Sequence, residues 1–291
     1  MVVRAMKLEA FDRQKTSSRA IQMAASVRQR ANATQHLPIC IYDVCEKLNV
    51  TVQFIDNNME GMYQKGARPR IYLSPKRPLV RRVFNCAHEL GHHEFGDGSS
   101  IDELQENART PAWDDPKEFT ADSFAAHLLM PIIGLRGAFN SRNLSCETAT
   151  PEQLYVIACD FGVGYTTLVT HLSVGLRMIT HSRAAELKRW SPKTIRHSLL
   201  GEDTNASLIV AGSNRLNPRI DVEVGNLVLL PREAVVDADK LRPVRQLKNA
   251  SLFEATKPGV AQIRTSRWAA FVRVARAEYV GLARYRHLED I

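Results

Sequence analysis

Apolar positions recur at helical spacing over residues 18–32, a segment that predicts an amphipathic helix. His36-Leu37-Pro38 breaks it, and Pro38 is placed to open a second helix, ICIYDVCEKLN, with Asn49 as its stop. Val50–Ile55 alternates with β-branched residues and predicts a strand. Gly61–Gln64 and Arg70–Leu73 then predict a short hairpin. From Leu79 the period changes. Val80, Val83, Phe84, Ala87 and Gly91 form a helical stripe expected to be buried. A loop is expected over 96–116, followed by a helix from Lys117 to Met130 that Pro131 stops. Thr150-Pro151-Glu152 reads as a capped helix start, with the helix running to Phe161. After the turn Gly162-Val163-Gly164, residues Tyr165–Leu172 resume a helix, the outline of a helix-turn-helix.

Beyond Pro192 the texture changes to short alternating runs: 207–211, 220–230, 260–263, 268–275 and 278–285. These predict a small, mostly-β unit. Charge divides at a similar place. Residues 1–174 hold 19 basic and 19 acidic residues, so residues 175–291 carry the whole net charge of +8. Their cations (Arg264, Arg267, Arg273, Arg276, Arg284, Arg286) are interleaved with Trp268, Phe271, Tyr279 and Tyr285. A solvated strand face with the aromatics turned inward is preferred here to a base-stacking surface. The expected organisation is α+β in three parts: 1–145, a small sheet and a motif-bearing helix; 146–200, helical and helix-turn-helix-like; 201–291, basic and mostly β.

A hydrophobic fraction of 44% and a charged fraction of 24% fit a globular protein and exclude a disordered one. No run reaches the roughly 18 apolar residues of a membrane helix, and the first twenty residues lack the apolar core of a secretory signal. Five scattered cysteines without a Cys-x-x-Cys pair predict buried thiols and a reducing, cytoplasmic setting.

The chemistry lies in His88-Glu89-Leu90-Gly91-His92. Histidines at i and i+4 leave one helical face about a turn apart and can fill two positions around a metal ion. Glu89 falls beside that face, where it can take a proton from water activated by the metal. A third ligand is expected from the next helix: Glu118, with Asp122 one turn on to hold a ligand histidine through its free N–H. His93 and His127 read as structural. Tyr63 is a weaker candidate donor to the tetrahedral charge, and the edge near 61–73 a candidate place for a substrate strand.

His88–His92, followed by Glu118-Phe119-Thr120-Ala121-Asp122-Ser123-Phe124-Ala125-Ala126-His127-Leu128-Leu129-Met130-Pro131, resembles the ImmA/IrrE metallopeptidases over roughly residues 15–175. In that family the second helix has the form E-x-E-A-(N/D)-x-F-A-x-x-L-L-M-P, so Thr120 departs from the pattern. The resemblance implies a zincin-like domain with zinc on His88, His92 and Glu118, manganese as a substitute in vitro, and Glu89 as base. It further implies a protein substrate, a helix-turn-helix repressor whose cleavage releases phage, mobile-element or stress genes. No resemblance extends over 205–291. One rival is a DNA-binding regulator using 150–172 and the basic C-terminal half, but Tyr165–Leu172 contains no Arg or Lys. Another is a metal protein that binds a partner without cutting it, against which the intact Glu89 argues.

Overall fold

Asp12 accepts hydrogen bonds from the amides of Gln14 and Lys15 and so starts α1 (Arg13–Arg30). Small residues on one face, Ala20 and Ala24, are buried against the rest of the core. The computed structural model describes residues 12–102, 115–212, 214–215, 218–236, 239–266 and 268–289. Arg267 and most of the 96–116 loop lie outside them.

Arg28, at the end of α1, is fully buried. Its Nε–H donates to the carbonyl of Leu128 (2.7 Å) and one Nη to that of Leu37 (2.9 Å). Desolvation lowers its pKa to about 10, which leaves it charged at neutral pH beside orphan carbonyls. α2 (Ile41–Lys47) starts from Cys40, so Pro38 precedes the helix rather than opening it. Asn49, at φ 58°, turns the chain into β1 (Thr51–Phe54). β2 (Gly61–Gln64) and β3 (Arg70–Leu73) form the expected hairpin, with Gln64 opposite Arg70. β3 pairs in parallel with β1.

α3 (Leu79–Phe95) packs on β2 and β3, and Gly96, at φ 74°, ends it. Within α3 the buried residues are Arg82 and 86–92, while Val80 is 37% exposed. The expected stripe therefore tilts out of the core at its N-terminal end. There Val80 and Val83 line a cavity of about 390 Å³ shared with Cys40, Cys159, Arg215 and Asn226. β4 (Ser100–Asp102) pairs with β2. After α4 (Pro116–Leu129) come α5 (Ile132–Asn140), α6 (Pro151–Phe161), α7 (Tyr165–Thr170) with a π-helical turn over His171–Gly175, α8 (His181–Leu187) and α9 (Pro192–Leu200). Thr150 and Gln153 form a reciprocal capping box on α6. One continuous hydrophobic cluster runs from Ala20 to Ile195 and also takes in Ala283. The 146–200 helices thus share the core of 12–145, and Tyr165, Leu168 and Val169 of α7 are buried in it rather than presented outward.

The C-terminal third holds two four-stranded sheets with their own apolar clusters. Its strands are β5 (Leu208–Val210), β6 (Arg219–Glu223), β7 (Leu227–Pro231), β8 (Val235–Val236), β9 (Leu241–Gln246), β10 (Ala250–Ala255), β11 (Gly259–Arg264) and β12 (Ala269–Ala275). They are ordered β5-β7-β10-β9 and β6-β12-β11-β8. Gly225, at φ 85°, breaks the expected 220–230 run into two strands of different sheets. A last strand, β13 (Gly281–Leu282), returns to pair with β1 and completes the order β13-β1-β3-β2-β4.

Several of the C-terminal cations are used internally. Arg219 and Arg273 pair with Asp43 (2.9 and 3.2 Å) and Arg215 with Asp160 (3.1 Å); in the opposite sense, Arg82 of α3 pairs with Glu223 of β6. The aromatics do not all turn inward: Phe271 is 47% and Tyr285 42% exposed, the latter beneath the Arg284 guanidinium. Among the described residues all five cysteines are free, and no helix is long and apolar enough to cross a membrane.

His127 on α4 and His171 are buried with their rings 4.8 Å apart. Burial lowers their pKa values to about 4 and about 3 respectively, from an ordinary 6.5. The unfolded chain therefore binds protons more readily below pH 6.5. Stability present above that value should be lost as pH falls toward 4 and 3. Between pH 7 and 4.5 the urea midpoint of His127→Leu should fall less than that of the unsubstituted protein. Equal falls would assign the acid sensitivity to other groups.

Candidate metal centre

His88 and His92 stand one turn apart on α3, with Nε2 atoms 3.0 Å apart. Each imidazole is held from behind. His88 Nδ1 lies 2.8 Å from Asp122 Oδ1, and His92 Nδ1 lies 3.1 Å from Asp97 Oδ2. A carboxylate only accepts, so each Nδ1 donates, and in the neutral imidazole the lone pair then sits on Nε2. Glu118 closes the group, with Oε2 3.2 Å from His88 Nε2 and Oε1 3.5 Å from His92 Nε2. The closeness of His88 lowers the Glu118 pKa and outweighs its partial burial. Three ligand atoms, one from each residue, thus lie within 4.8 Å of one another. Two lone pairs and an anionic oxygen converging at this distance fit a cation, and these residues could hold a metal ion.

Two local features bring α4 to α3. Asp115 caps α4 by accepting from the Lys117 amide, and Pro116 at the first position fixes where Glu118 falls. One turn further on, Gly91 faces Ala121. A Cβ on Gly91 would lie 3.1 Å from the Ala121 Cα and 3.1 Å from the Phe124 ring. Thr120, the departure from the family pattern, donates its hydroxyl to the carbonyl of Pro116 within the first turn of α4.

Asp122 stands where the sequence places it. Asp97 was not anticipated. Gly96 reverses the chain in the left-handed region, and the Asp97 amide bonds back to the carbonyl of His92 (3.1 Å), which brings its carboxylate over the last turn of α3. The signal is an Asp directly after a helix-ending glycine, five residues beyond a candidate ligand.

A second row of α3 residues, spaced four apart, lies along the start of β2. Glu60 binds Arg81 Nε (2.8 Å) and Asn85 Nδ2 (2.9 Å). Gly61 lies against the Glu89 carboxylate, and Tyr63 Oη is 2.8 Å from His93 Nδ1. Tyr63 is buried, and its hydroxyl is engaged by His93 rather than directed at His88, His92 and Glu118. The suggested role as donor to a tetrahedral charge is replaced by a structural one. The suggested substrate edge near 61–73 is also corrected, because β2 is flanked by β3 and β4 and β3 by β1 and β2. His93 and His127 lie outside the ligand cluster.

Three variants should separate ligand from support. Glu118→Ala should abolish tight metal binding, whereas Asp97→Asn and Asp122→Asn should each weaken it by roughly 10–100-fold. Competition with a chromogenic chelator measures all three. An affinity of Glu118→Ala equal to that of the unsubstituted protein would remove Glu118 from the ligand set.

Among known families, residues 45–173 match the model described as the IrrE N-terminal-like domain, a peptidase family. The matched span contains His88, Glu89, His92, Asp97, Glu118 and Asp122. No curated protein is matched. Residues 45–173 of this chain are therefore similar to the IrrE N-terminal-like peptidase family.

Proposed function

We propose that this chain is a zinc-dependent endopeptidase of the ImmA/IrrE type, with His88, His92 and Glu118 as ligands and Glu89 as general base. The observation that supports this best is the convergence of His88 Nε2, His92 Nε2 and a Glu118 oxygen, with both Nδ1 atoms anchored on carboxylates. Two imidazoles and one carboxylate, with a position left for solvent, are the donor set of catalytic zinc. A divalent metal there supplies Lewis acidity, polarising a carbonyl and making water a stronger acid.

The protein's own residues supply the rest. Glu89 lies one residue past His88 and so projects beside the ligand face rather than onto it. Its carboxylate takes the proton from the attacking water and later delivers it to the departing amine. Asp97 and Asp122 keep the imidazoles in the tautomer that directs Nε2 inward. The buried wall around Glu89 excludes bulk water, which strengthens each of these polar interactions. The substrate is a protein, and by resemblance a cytoplasmic helix-turn-helix repressor encoded at the same locus.

Glu89→Gln keeps the shape of the side chain and removes the basic oxygen. With a repressor from the same locus as substrate, cleavage followed by mass spectrometry should fall by about 10²–10⁴-fold. Elemental analysis should find the metal content unchanged. Undiminished cleavage by this variant would overturn the assignment of Glu89. Stoichiometric binding without cleavage by either protein would favour a non-catalytic metal protein.

A further inference from the structure

Glu89 is completely buried, and Gly61 of β2 stands against its carboxylate. A Cβ built on Gly61 would lie 2.7 Å from Glu89 Oε1, 3.0 Å from Cγ and 3.2 Å from Cδ. Distances below about 3 Å do not occur between a real Cβ and its neighbours, so any side chain at 61 would displace this carboxylate or the strand. Gly61 is not among the positive-φ glycines, so its backbone does not itself demand glycine. The three nearest atoms to such a Cβ all belong to Glu89.

The strand has little freedom to retreat. Gly61 is paired with Leu73 of β3 on one side and Asp102 of β4 on the other. The row of contacts along α3 pins it lengthwise: Glu60 to Arg81 and Asn85 before Gly61, and Tyr63 to His93 after it. The Glu89 contact falls between these two anchors. With the strand fixed, a methyl group at 61 would move the carboxylate.

We infer that Gly61 is a positioning residue for Glu89: β2 forms the wall that sets how deep the carboxylate sits, and the missing side chain at 61 makes room for it. This rests on the assignment of Glu89 as the base. A displaced Glu89 would still leave His88, His92 and Glu118 in place. Gly61→Ala should therefore keep the metal and the substrate KM while lowering kcat by as much as 10²-fold, the loss that follows a misplacement of about 1 Å.

The test is a cycle of four full-length proteins loaded with Co²⁺: unsubstituted, Gly61→Ala, Glu89→Ala and the double variant. The visible bands of Co²⁺ respond to groups bonded to its ligands and need no substrate. Thermal midpoints are measured on the same samples. Gly61→Ala should shift the bands and lower the midpoint when Glu89 is present. Both effects should vanish in the Glu89→Ala background, where the space beside position 61 has been vacated. Equal shifts in both backgrounds would mean that Gly61 acts through the sheet, and no shift in either would mean that the contact is absent. Each of these results overturns the inference. Failure of the base assignment is seen separately, as full cleavage by Glu89→Gln, because the cycle does not depend on cleavage.

Discussion

The candidate metal centre depends on how closely α3 and α4 approach one another at Gly91 and Ala121. The three prospective ligands come from two helices separated by twenty residues of chain, and a carboxylate reaches only a few ångströms from its Cα. A side chain at 91 would meet backbone and ring atoms of α4 at 3.1 Å. Packed interiors do not absorb such overlap without displacement, and overpacking costs roughly 1–3 kcal/mol. Gly91 thus accepts the helix-weakening cost of glycine, up to about 1 kcal/mol, in exchange for proximity. The same closeness brings Asp122 to His88, so ligand and anchor share one helix–helix contact.

From residue 86 to residue 92, α3 has no solvent-facing side. One side carries the histidines toward α4, the next lies along β2, and Arg82 reaches the C-terminal sheet through Glu223 while its guanidinium stacks over Phe54. A charged pair that is largely removed from water adds little net stability, but it holds a defined geometry. The positive balance of the C-terminal third is partly consumed by pairs of the opposite sense. Arg215, Arg219 and Arg273 neutralise acids of the N-terminal part instead of forming an open basic face.

What the sequence reveals follows the range of the interactions. The histidine pair, Glu118, Asp122, the hairpin and the capped start of α6 depend on contacts within a few residues or on the regular spacing of a helix. These are the features that periodicity and capping can read. Asp97 was hidden because its role needs a left-handed turn at Gly96. α5 was hidden by Gly134 and Gly137, which weaken the helical signal, and β9 by Pro243 and its charges, which suit an edge strand. The inward face of Tyr63 and the tilt of α3 at Val80 depend on neighbours distant in sequence, which no local pattern encodes. The sharing of one core by 146–200 and 12–145 is likewise a property of packing.

β13 gives the fold an order in time. β1 lies near the start of the chain, but its outer neighbour is made only when residues 281 and 282 have been synthesised. At 5–20 residues per second, translation of the intervening stretch occupies roughly ten seconds or more. During that interval β1 presents unsatisfied amides and carbonyls to whatever strand comes near, the usual opening for mispairing. The ion pairs between the N-terminal acids and the arginines of the C-terminal sheets arise in the same late phase. The N-terminal sheet therefore leaves the ribosome long before its outer edge is sealed.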